Sequence, residues 1–378
     1  MLQKLLHLTA LALLLAVLMG NSALSSGGGG TMRAVIRPGL RFDAQYPAPR
    51  APRTGTDEVL LRVHAAAINP VDYKVGKSLL GPIVGLDVAG TVEAVGDASR
   101  SELRVGDEVY GTARGALAER VLATAGALAR KPRALSWAQA AAMPTAYLTA
   151  LQGLRDHGAL ARGGRVLVVG ASGGCGTAAV QLATALGAAE VVGVCSGKNA
   201  ELVRAQGAAR VVDYTKEPLS AACAGGAGAA AFDVVFDAAT NSGAGENYKA
   251  AAIACLRKGA PGAAAGQYVA INGGAGMWLR MFTIGQRKNE HLFLTNAVTA
   301  DLEQLAALAD GDGGAPEEGG VTASRVRPVI ALQLPFTAEG VSRGFALLQS
   351  RRAVGKVVFE MEMAQEVDEE QQQEQQQQ

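Results

Sequence analysis

Hydrophobic and polar positions in the first third of the chain follow a β-type pattern. Short β-like runs alternate there with glycine-rich turns, which is typical of an irregular all-β barrel. The runs are Arg33 to Ile36, Glu58 to Val63, Gly90 to Val95 and Asp107 to Tyr110. A helix-prone stretch follows from Ser136 to Leu154 and is interrupted by Pro144. The pattern therefore predicts a β domain that is followed by a broken helix.

The central part of the chain alternates strands with helices. Apolar, β-branched runs predict strands, and the stretches between them predict helices. The predicted strands are Arg165 to Val169, Val191 to Cys195, Arg210 to Asp213, Phe232 to Phe236 and Gln267 to Ile271, and the predicted helices are Thr177 to Leu186 and Asn199 to Gln206. Such alternation predicts βαβ units and a parallel, doubly wound sheet. Strand-like runs return at Arg327 to Leu332 and Lys356 to Glu360, so we expect an α/β protein in which a Rossmann domain interrupts a barrel-like domain.

The two ends of the chain differ from this body. Lys4 precedes an apolar run from Leu5 to Met19, and small residues follow, which is the pattern of a signal peptide. The run is marginal for a membrane span. A cleaved secretory signal, an uncleaved membrane anchor and an organelle-targeting leader therefore stay open. The Glu/Gln-rich residues 362–378 predict a solvated tail of low complexity.

These patterns set the predicted domain boundaries. Residues 1–31 form the hydrophobic leader, and residues 32–146 form the first part of the barrel-like domain. The Rossmann domain takes residues 147–296, and the barrel-like domain resumes over residues 297–361.

Charge and cysteine content exclude two classes of protein. The net charge is +1 and no basic stripe occurs, which argues against nucleic acid as a partner. The four cysteines are Cys175, Cys195, Cys223 and Cys255, with no CxxC pair and no histidine at ligand spacing. The cysteines therefore show no metal-ligand spacing, and we predict no metal site.

A glycine-rich turn between the first central strand and its helix is the candidate cofactor site. Its residues are Ser172, Gly173, Gly174, Cys175 and Gly176. Glycines there permit close approach of the backbone to a pyrophosphate, and the helix N-terminus receives the phosphate charge. A strand before the turn, a helix after it and further βα units are the context that such a site requires.

The end of the second central strand distinguishes NADP from NAD. An NAD site usually has Asp or Glu there to bond the ribose 2′-hydroxyl. Here the strand ends with Ser196-Gly197-Lys198, which offers a hydroxyl and a positive charge to a 2′-phosphate. We therefore predict NADPH as the cofactor, with Ser196 and Lys198 as contacts, although Ser196 also suits an ordinary helix cap.

Several segments resemble the zinc-independent quinone oxidoreductase branch of the medium-chain dehydrogenase/reductase superfamily. They are Asn69-Pro70-Val71-Asp72-Tyr73-Lys74, Gly85 to Gly90, Val105 to Gly111, the glycine turn and Val354 to Val358. Their order and spacing fit from Met32 to Met361. Within the branch, the chain is most similar to chloroplast-envelope quinone oxidoreductase homologues, furanone-type enone reductases and the mitochondrial reticulon-interacting reductase. Where zinc-dependent relatives carry a His-Glu pair, this chain has Leu86-Asp87.

The resemblance implies a fold, an activity and a set of site residues. The expected fold is a GroES-like barrel with a Rossmann domain, and the expected activity is hydride transfer from NADPH to quinones or to the activated C=C bond of enones and enals. The residues implied near the reacting groups are Asn69, Tyr73 and Lys74, and the implied cofactor contacts are Tyr214, Asn272, Gly273, Gly274 and Lys356.

The substrate class and the setting of the protein leave alternatives. An enoyl-thioester or alcohol oxidoreductase of the same superfamily and a non-catalytic NADPH-binding module are the other functions that the sequence allows. The expected partner is a small-molecule substrate. A homodimer, membrane association through the leader, and a chloroplast, mitochondrial or secretory location stay open.

Overall fold

A computed structural model of the chain describes residues 26–98, 102–220, 232–240, 247–259, 264–283, 285–312 and 325–361. The chain forms two compact units. One is built from residues up to Thr145, from Ala297–Asp310 and from Arg327 onward, and we call it the barrel unit. The other contains Ala146–Asn296 and Gly311–Val326, and we call it the nucleotide unit.

The barrel unit is formed mainly by antiparallel strands. Its strands are β1 (Ser26–Ile36), β2 (Arg41–Pro49), β3 (Glu58–Ile68), β4 (Asp87–Val95), β5 (Glu108–Thr112), β6 (Arg120–Thr124), β7 (Leu128–Arg130), β14 (Ile330–Pro335) and β15 (Lys356–Glu360). Strands β1 and β2 form a hairpin, and the larger sheet has the order β14-β15-β3-β4-β5-β7, with β6 also paired to β3. Apolar side chains of these strands form a core in which Leu61, Val88 and Phe359 are fully buried.

Short helices complete the barrel unit and lead into its neighbour. They are α1 (Pro70–Lys74), α2 (Lys77–Leu80), α3 (Trp137–Ala142), α4 (Pro144–Gln152), α9 (Thr299–Asp310) and α10 (Ala338–Ser350). Helix α4 crosses the boundary between the units, because Thr145 belongs to the barrel unit and Ala146 to the nucleotide unit.

The nucleotide unit contains a six-stranded parallel sheet. Its strands are β8 (Arg165–Val169), β9 (Glu190–Cys195), β10 (Arg210–Asp213), β11 (Val234–Asp237), β12 (Gln267–Ala270) and β13 (Glu290–Leu292), and its helices are α5 (Gly174–Ala185), α6 (Ala200–Ala205), α7 (Lys249–Ala254) and α8 (Ala275–Phe282). The strand order is β10-β9-β8-β11-β12-β13, with every pair parallel. Counted within the unit, this is the order 3-2-1-4-5-6 of a Rossmann fold, and it confirms the predicted fold class.

Several helices and strands begin or end at other residues than the sequence pattern predicts. The stretch from Ser136 to Leu154 contains two helices, since Ser136 caps α3 and Pro144 begins α4. Proline is suited to a first helical turn, where its missing N–H has no partner to lose. Strand β4 begins at Asp87, three residues before the predicted start, so this carboxylate lies inside a buried strand.

The first strand also begins earlier than the sequence pattern indicates. Strand β1 begins at Ser26, and Thr31 pairs with Pro47 of β2. The predicted leader of residues 1–31 therefore overlaps a strand, while residues 1–25 and the predicted tail lie outside the described residues. Within the described part of the chain, no helix is long and apolar enough to cross a membrane.

Candidate active site

The glycine turn lies at the point where the order of the parallel sheet reverses. It follows β8, whose neighbours are β9 on one side and β11 on the other. Ligands of doubly wound sheets bind outside the carboxyl ends of the strands at such a point. Gly170 has a φ of 79°, and a Cβ added to Gly176 would lie 2.0 Å from the carbonyl oxygen of Gly170. The turn is therefore held in a shape that places the first amides of α5, which have no acceptor within the helix, at this edge.

The turn after β9 is tied to the glycine turn by a residue that sequence reasoning missed. The Nδ2 of Asn199 donates to Ser172 Oγ at 3.1 Å and lies 3.3 Å from Ser196 Oγ. One amide thus connects the first cofactor loop with the second. Lys198, between Ser196 and Asn199, is exposed to solvent.

An acidic residue, Asp213, lies next to this turn, although the sequence analysis did not predict one there. Asp213 ends β10 and pairs in register with Cys195, the last residue of β9. Its Oδ1 accepts from the backbone N and the Oγ1 of Thr215, and these bonds hold the pKa of Asp213 below its usual value. A Cβ on Gly197 would lie 2.3 Å from Asp213 Oδ2, so a larger residue there would displace this carboxylate.

Two other predicted cofactor segments lie at the carboxyl ends of strands of the same sheet. Tyr214 directly follows β10 and is 50% exposed. Asn272, Gly273 and Gly274 follow β12, and Gly274 caps α8. Because all strands of the sheet are parallel, these segments share one edge with the glycine turn.

In the barrel unit, strand register brings Asn69, Asp87 and Lys356 together. Ile68 pairs with Val357, and Ala67 pairs with Asp87. The residues next to these pairs therefore meet at one end of β3. All three side chains are buried: Asp87 is fully buried, and Asn69 and Lys356 retain 6% and 5% exposure.

The bonds in this cluster fix the orientation of the Asn69 amide. Lys356 Nζ donates to Asn69 Oδ1 at 2.5 Å and to Asp87 Oδ2 at 2.9 Å, while Asn69 Nδ2 donates to the same Asp87 oxygen at 2.9 Å. Since an ammonium can only donate and a carboxylate can only accept, the amide cannot be reversed. One of three ammonium hydrogens and one of two amide hydrogens have no acceptor among the described residues.

A second buried carboxyl group supports the loop that carries Asn69. Asp72 Oδ2 accepts from the backbone N of Asn69 at 2.7 Å, and Arg37 donates to the carbonyl oxygen of Asp72 at 3.1 Å. Asp72 is fully buried, and its Oδ1 has no hydrogen-bond partner in the described structure. Burial raises the pKa of Asp72 to about 7 against the hydrogen bond from Asn69.

Tyr73 and Lys74 have different surroundings from Asn69. Tyr73 is half-buried and packs against the barrel core, and partial burial raises its pKa. Lys74 is exposed at the end of α1, where desolvation and then the nearby charge of Arg351 lower its pKa. Of the three predicted catalytic residues, only Asn69 is therefore in the buried cluster, and its cationic partner there is Lys356.

A separate cavity of about 220 Å³ lies beside the β1–β2 hairpin. Its lining includes Met32, Tyr46, Ile83, Arg50, Arg114 and Arg120. Arg50 is paired with Glu58 at 2.6 Å and Arg120 with Glu93 at 2.8 Å, so much of its positive charge is neutralised. No residue predicted to act in catalysis or cofactor binding lines this cavity.

Comparison with known proteins identifies the family. A family model for the alcohol dehydrogenase GroES-like domain matches residues 55–152, and one for the zinc-binding dehydrogenase domain matches residues 206–359. The chain is 33% identical to 2-methylene-furan-3-one reductase of Solanum lycopersicum over 320 residues, covering 80% of this chain and 71% of the relative. The chain belongs to the medium-chain dehydrogenase/reductase superfamily. This confirms the resemblance noted in the sequence.

Two further comparisons agree with this assignment. The chain is 32% identical to the chloroplastic NADPH-dependent alkenal/one oxidoreductase of Arabidopsis thaliana, covering 81% of this chain and 73% of the relative. The quinone oxidoreductase from Coxiella burnetii has a similar structure, with a TM-score of 0.69, 26% identity and coverage of 87% of this chain and 99% of that one. The predicted class, an oxidoreductase with GroES-like and Rossmann parts, is thereby confirmed.

A zinc ion does not fit the position where zinc-dependent members of the superfamily carry their His-Glu pair. Asp87 is bonded there to the ammonium of Lys356, which already supplies the positive charge that this carboxylate faces. In the described ranges, no three His, Cys, Asp or Glu side chains group in a way that could hold a metal ion.

Proposed function

We propose that this chain is an NADPH-dependent reductase of quinones or of the activated C=C bond of α,β-unsaturated carbonyl compounds. The observation that carries the proposal is the buried Lys356–Asn69 pair, which is held by Asp87 and keeps on each partner one N–H that has no acceptor among the described residues. Two relatives whose names specify a furanone reductase and an NADPH-dependent alkenal/one oxidoreductase support the substrate class.

The pair can stabilise the charge that develops on a reduced carbonyl compound. Addition of a hydride to the β-carbon of an enone places negative charge on the carbonyl oxygen. Donors fixed in advance in a buried, low-dielectric position stabilise such an oxygen more strongly than water does. We propose that the open N–H groups of Lys356 and Asn69 donate to it, and that Asp87 keeps both donors oriented.

NADPH supplies the hydride when it is bound. We propose that the amides of Gly174, Cys175 and Gly176 at the start of α5 receive its pyrophosphate, in line with the anion preference of helix N-termini. Ser196 and Lys198 suit its 2′-phosphate, and the bond from Asn199 to Ser172 supports both loops. Tyr214, Asn272, Gly273 and Gly274 lie at the same sheet edge and are proposed as further contacts.

Steady-state kinetics with separate binding measurements test the catalytic role. NADPH oxidation is followed with 1,4-naphthoquinone, 3-buten-2-one and 2-hexenal, with crotonyl-CoA and ethanol plus NADP⁺ for the alternative activities. Loss of one donor to an oxyanion lowers kcat roughly 100- to 1000-fold. We therefore expect the kcat of Lys356→Met and of Asn69→Ala to be lower than that of the wild type by about this factor. The exposed Lys216→Met is the matched control.

Two outcomes would contradict the proposal. Turnover of crotonyl-CoA or ethanol without turnover of enones or quinones would assign the chain to another activity of the superfamily. If Lys356→Met weakens NADPH binding, measured by quenching of protein fluorescence, but leaves kcat unchanged, Lys356 is a cofactor contact alone, as the resemblance implies. The same binding titration, positive without any turnover, would favour a non-catalytic NADPH-binding module.

For localisation we propose an organelle. The apolar run from Leu5 to Met19 and the chloroplastic location in the name of one relative support this choice. Fluorescent-protein fusions of residues 1–31 and of the full chain, compared by microscopy, distinguish an organelle from the secretory pathway and from membrane anchoring. Light scattering of the purified chain tests for a homodimer.

A further inference from the structure

Asp87 has a bonding pattern that extends beyond the Lys356–Asn69 pair. Its Oδ1 accepts from the backbone N of Thr145 at 2.9 Å and from Thr145 Oγ1 at 2.5 Å. Its Oδ2 accepts from Lys356 and Asn69. A carboxylate has about four lone-pair positions, and this fully buried one therefore uses all of them.

Thr145 lies at the start of a helix and at the end of the barrel unit. It lies in the first turn of α4, where backbone amides have no acceptor within the helix. A carboxylate is favoured at such a position because it satisfies an amide and faces the positive end of the helix dipole. Thr145 is also the last residue of the barrel unit before the chain enters the nucleotide unit. One oxygen of Asp87 thus caps a helix while the other holds the two donors.

We propose that Thr145 is a positioning residue for reduction, and that it acts through Asp87 on the Lys356 ammonium and the Asn69 amide. The inference rests on the proposed function. The two bonds from Thr145 fix the rotation of the Asp87 carboxylate about its side-chain bonds. That rotation determines where Oδ2 lies, and hence the direction in which both donors present their open N–H groups. No feature of the local sequence pattern links Thr145 to Asp87, which is 58 positions away.

Substitution at Thr145 separates the hydroxyl from the backbone contact. Thr145→Val keeps the size and the backbone N–H but removes the Oγ1 donor, whereas Thr145→Ser keeps the donor. We expect kcat of Thr145→Val to fall about 10-fold, as for loss of one hydrogen bond to a charged group, with an unchanged Kd for NADPH. Thr145→Ser should stay within about twofold of the wild type. Thr299→Val is the matched control, because Thr299 begins α9 in the same unit and bonds to a backbone carbonyl.

A double-variant cycle with Lys356→Met tests whether Thr145 acts through the pair. If it does, Thr145→Val should lower kcat by a smaller factor in the Lys356→Met background than in the wild type, because only the Asn69 amide is then left for Asp87 to orient. A second cycle, with Asp87→Asn and urea unfolding, measures the Thr145–Asp87 link without any activity. If the unfolding free energies show coupling between Thr145 and Asp87 but Thr145→Val keeps the full wild-type kcat, Thr145 has only a structural role and the proposal is overturned.

The outcomes also separate this inference from the proposed function. An unchanged kcat for Lys356→Met contradicts the proposed function itself. A loss in Lys356→Met together with equal losses in Thr145→Val and Thr145→Ser leaves the proposed function standing and overturns the positioning role. Fully additive losses in kcat would overturn it as well, because Thr145 would then act independently of Lys356.

Discussion

Asp72→Asn should flatten the pH dependence of stability in the barrel unit. Asp72 is fully buried, and burial raises its pKa from 3.8 to about 7. The charged groups that act on it are Asp87, Lys356 and Arg37, of which the two cations favour its ionised form. Asparagine keeps an oxygen that can accept from the backbone N of Asn69 but has no proton to lose.

The sign follows from where the proton is held. Between pH 4 and 7 the folded chain holds the Asp72 proton and the unfolded chain does not, so the free energy of unfolding falls as the pH rises. The contribution is complete below the ordinary carboxyl pKa and is lost as the pH passes about 7. A shift of this size corresponds to about 4 kcal/mol in total, of which about 3 kcal/mol is lost between pH 4.5 and 8.

The assay can isolate the unit that contains Asp72. The chain has two tryptophans, Trp137 in the barrel unit and Trp278 in the nucleotide unit. In a Trp278→Phe background, urea unfolding followed by fluorescence reports the surroundings of Trp137. The difference in unfolding free energy between wild type and Asp72→Asn should change by about 3 kcal/mol between pH 4.5 and 8 in favour of the variant.

Asp43→Asn is the control for this experiment, because Asp43 lies on the surface hairpin and pairs with exposed Arg41. It should follow the wild-type pH profile. Equal pH dependence in wild type and Asp72→Asn would refute the reasoning, since Asp72 would then ionise alike in the folded and unfolded chains.

Three other predictions concern the cofactor loops and the metal. Gly176→Ala should lower the melting temperature and raise the Kd for NADPH at least about 10-fold, because its Cβ would lie 2.0 Å from the carbonyl oxygen of Gly170. Gly173→Ala is the control and should keep the melting temperature, because the atom nearest to its Cβ would be 3.6 Å away. Lys198→Ala should raise the KM for NADPH roughly 10- to 100-fold and leave that for NADH unchanged, and an equal loss with both cofactors would contradict a 2′-phosphate contact. EDTA should leave activity unchanged, and stoichiometric zinc that is removed together with activity would show that a metal is required.

Much of the nucleotide unit could be predicted from the sequence. Parallel strands that are buried on both faces have continuous apolar sequences, as β8 has. A glycine-rich turn between such a strand and a helix indicates a dinucleotide-binding site. The strand pattern and the glycine turn are local signals, in which neighbouring residues determine the backbone and its periodicity. The loop from Asn69 to Lys74, which carries the candidate catalytic residue, was identified only through the family resemblance.

Only the tertiary structure shows which side chains meet. Lys356 and Asn69 are 287 positions apart, and Asp87 and Lys356 are 269 apart, so no local pattern relates them. The resemblance implied that Lys356 contacts the cofactor, and the Leu86-Asp87 pair marked only a missing zinc site. The register of β15 on β3 and of β3 on β4 placed the ammonium beside this carboxylate. Strand register determines which residues of distant segments lie side by side in the sheet. The charge balance of the buried site therefore depends on the folded barrel as a whole.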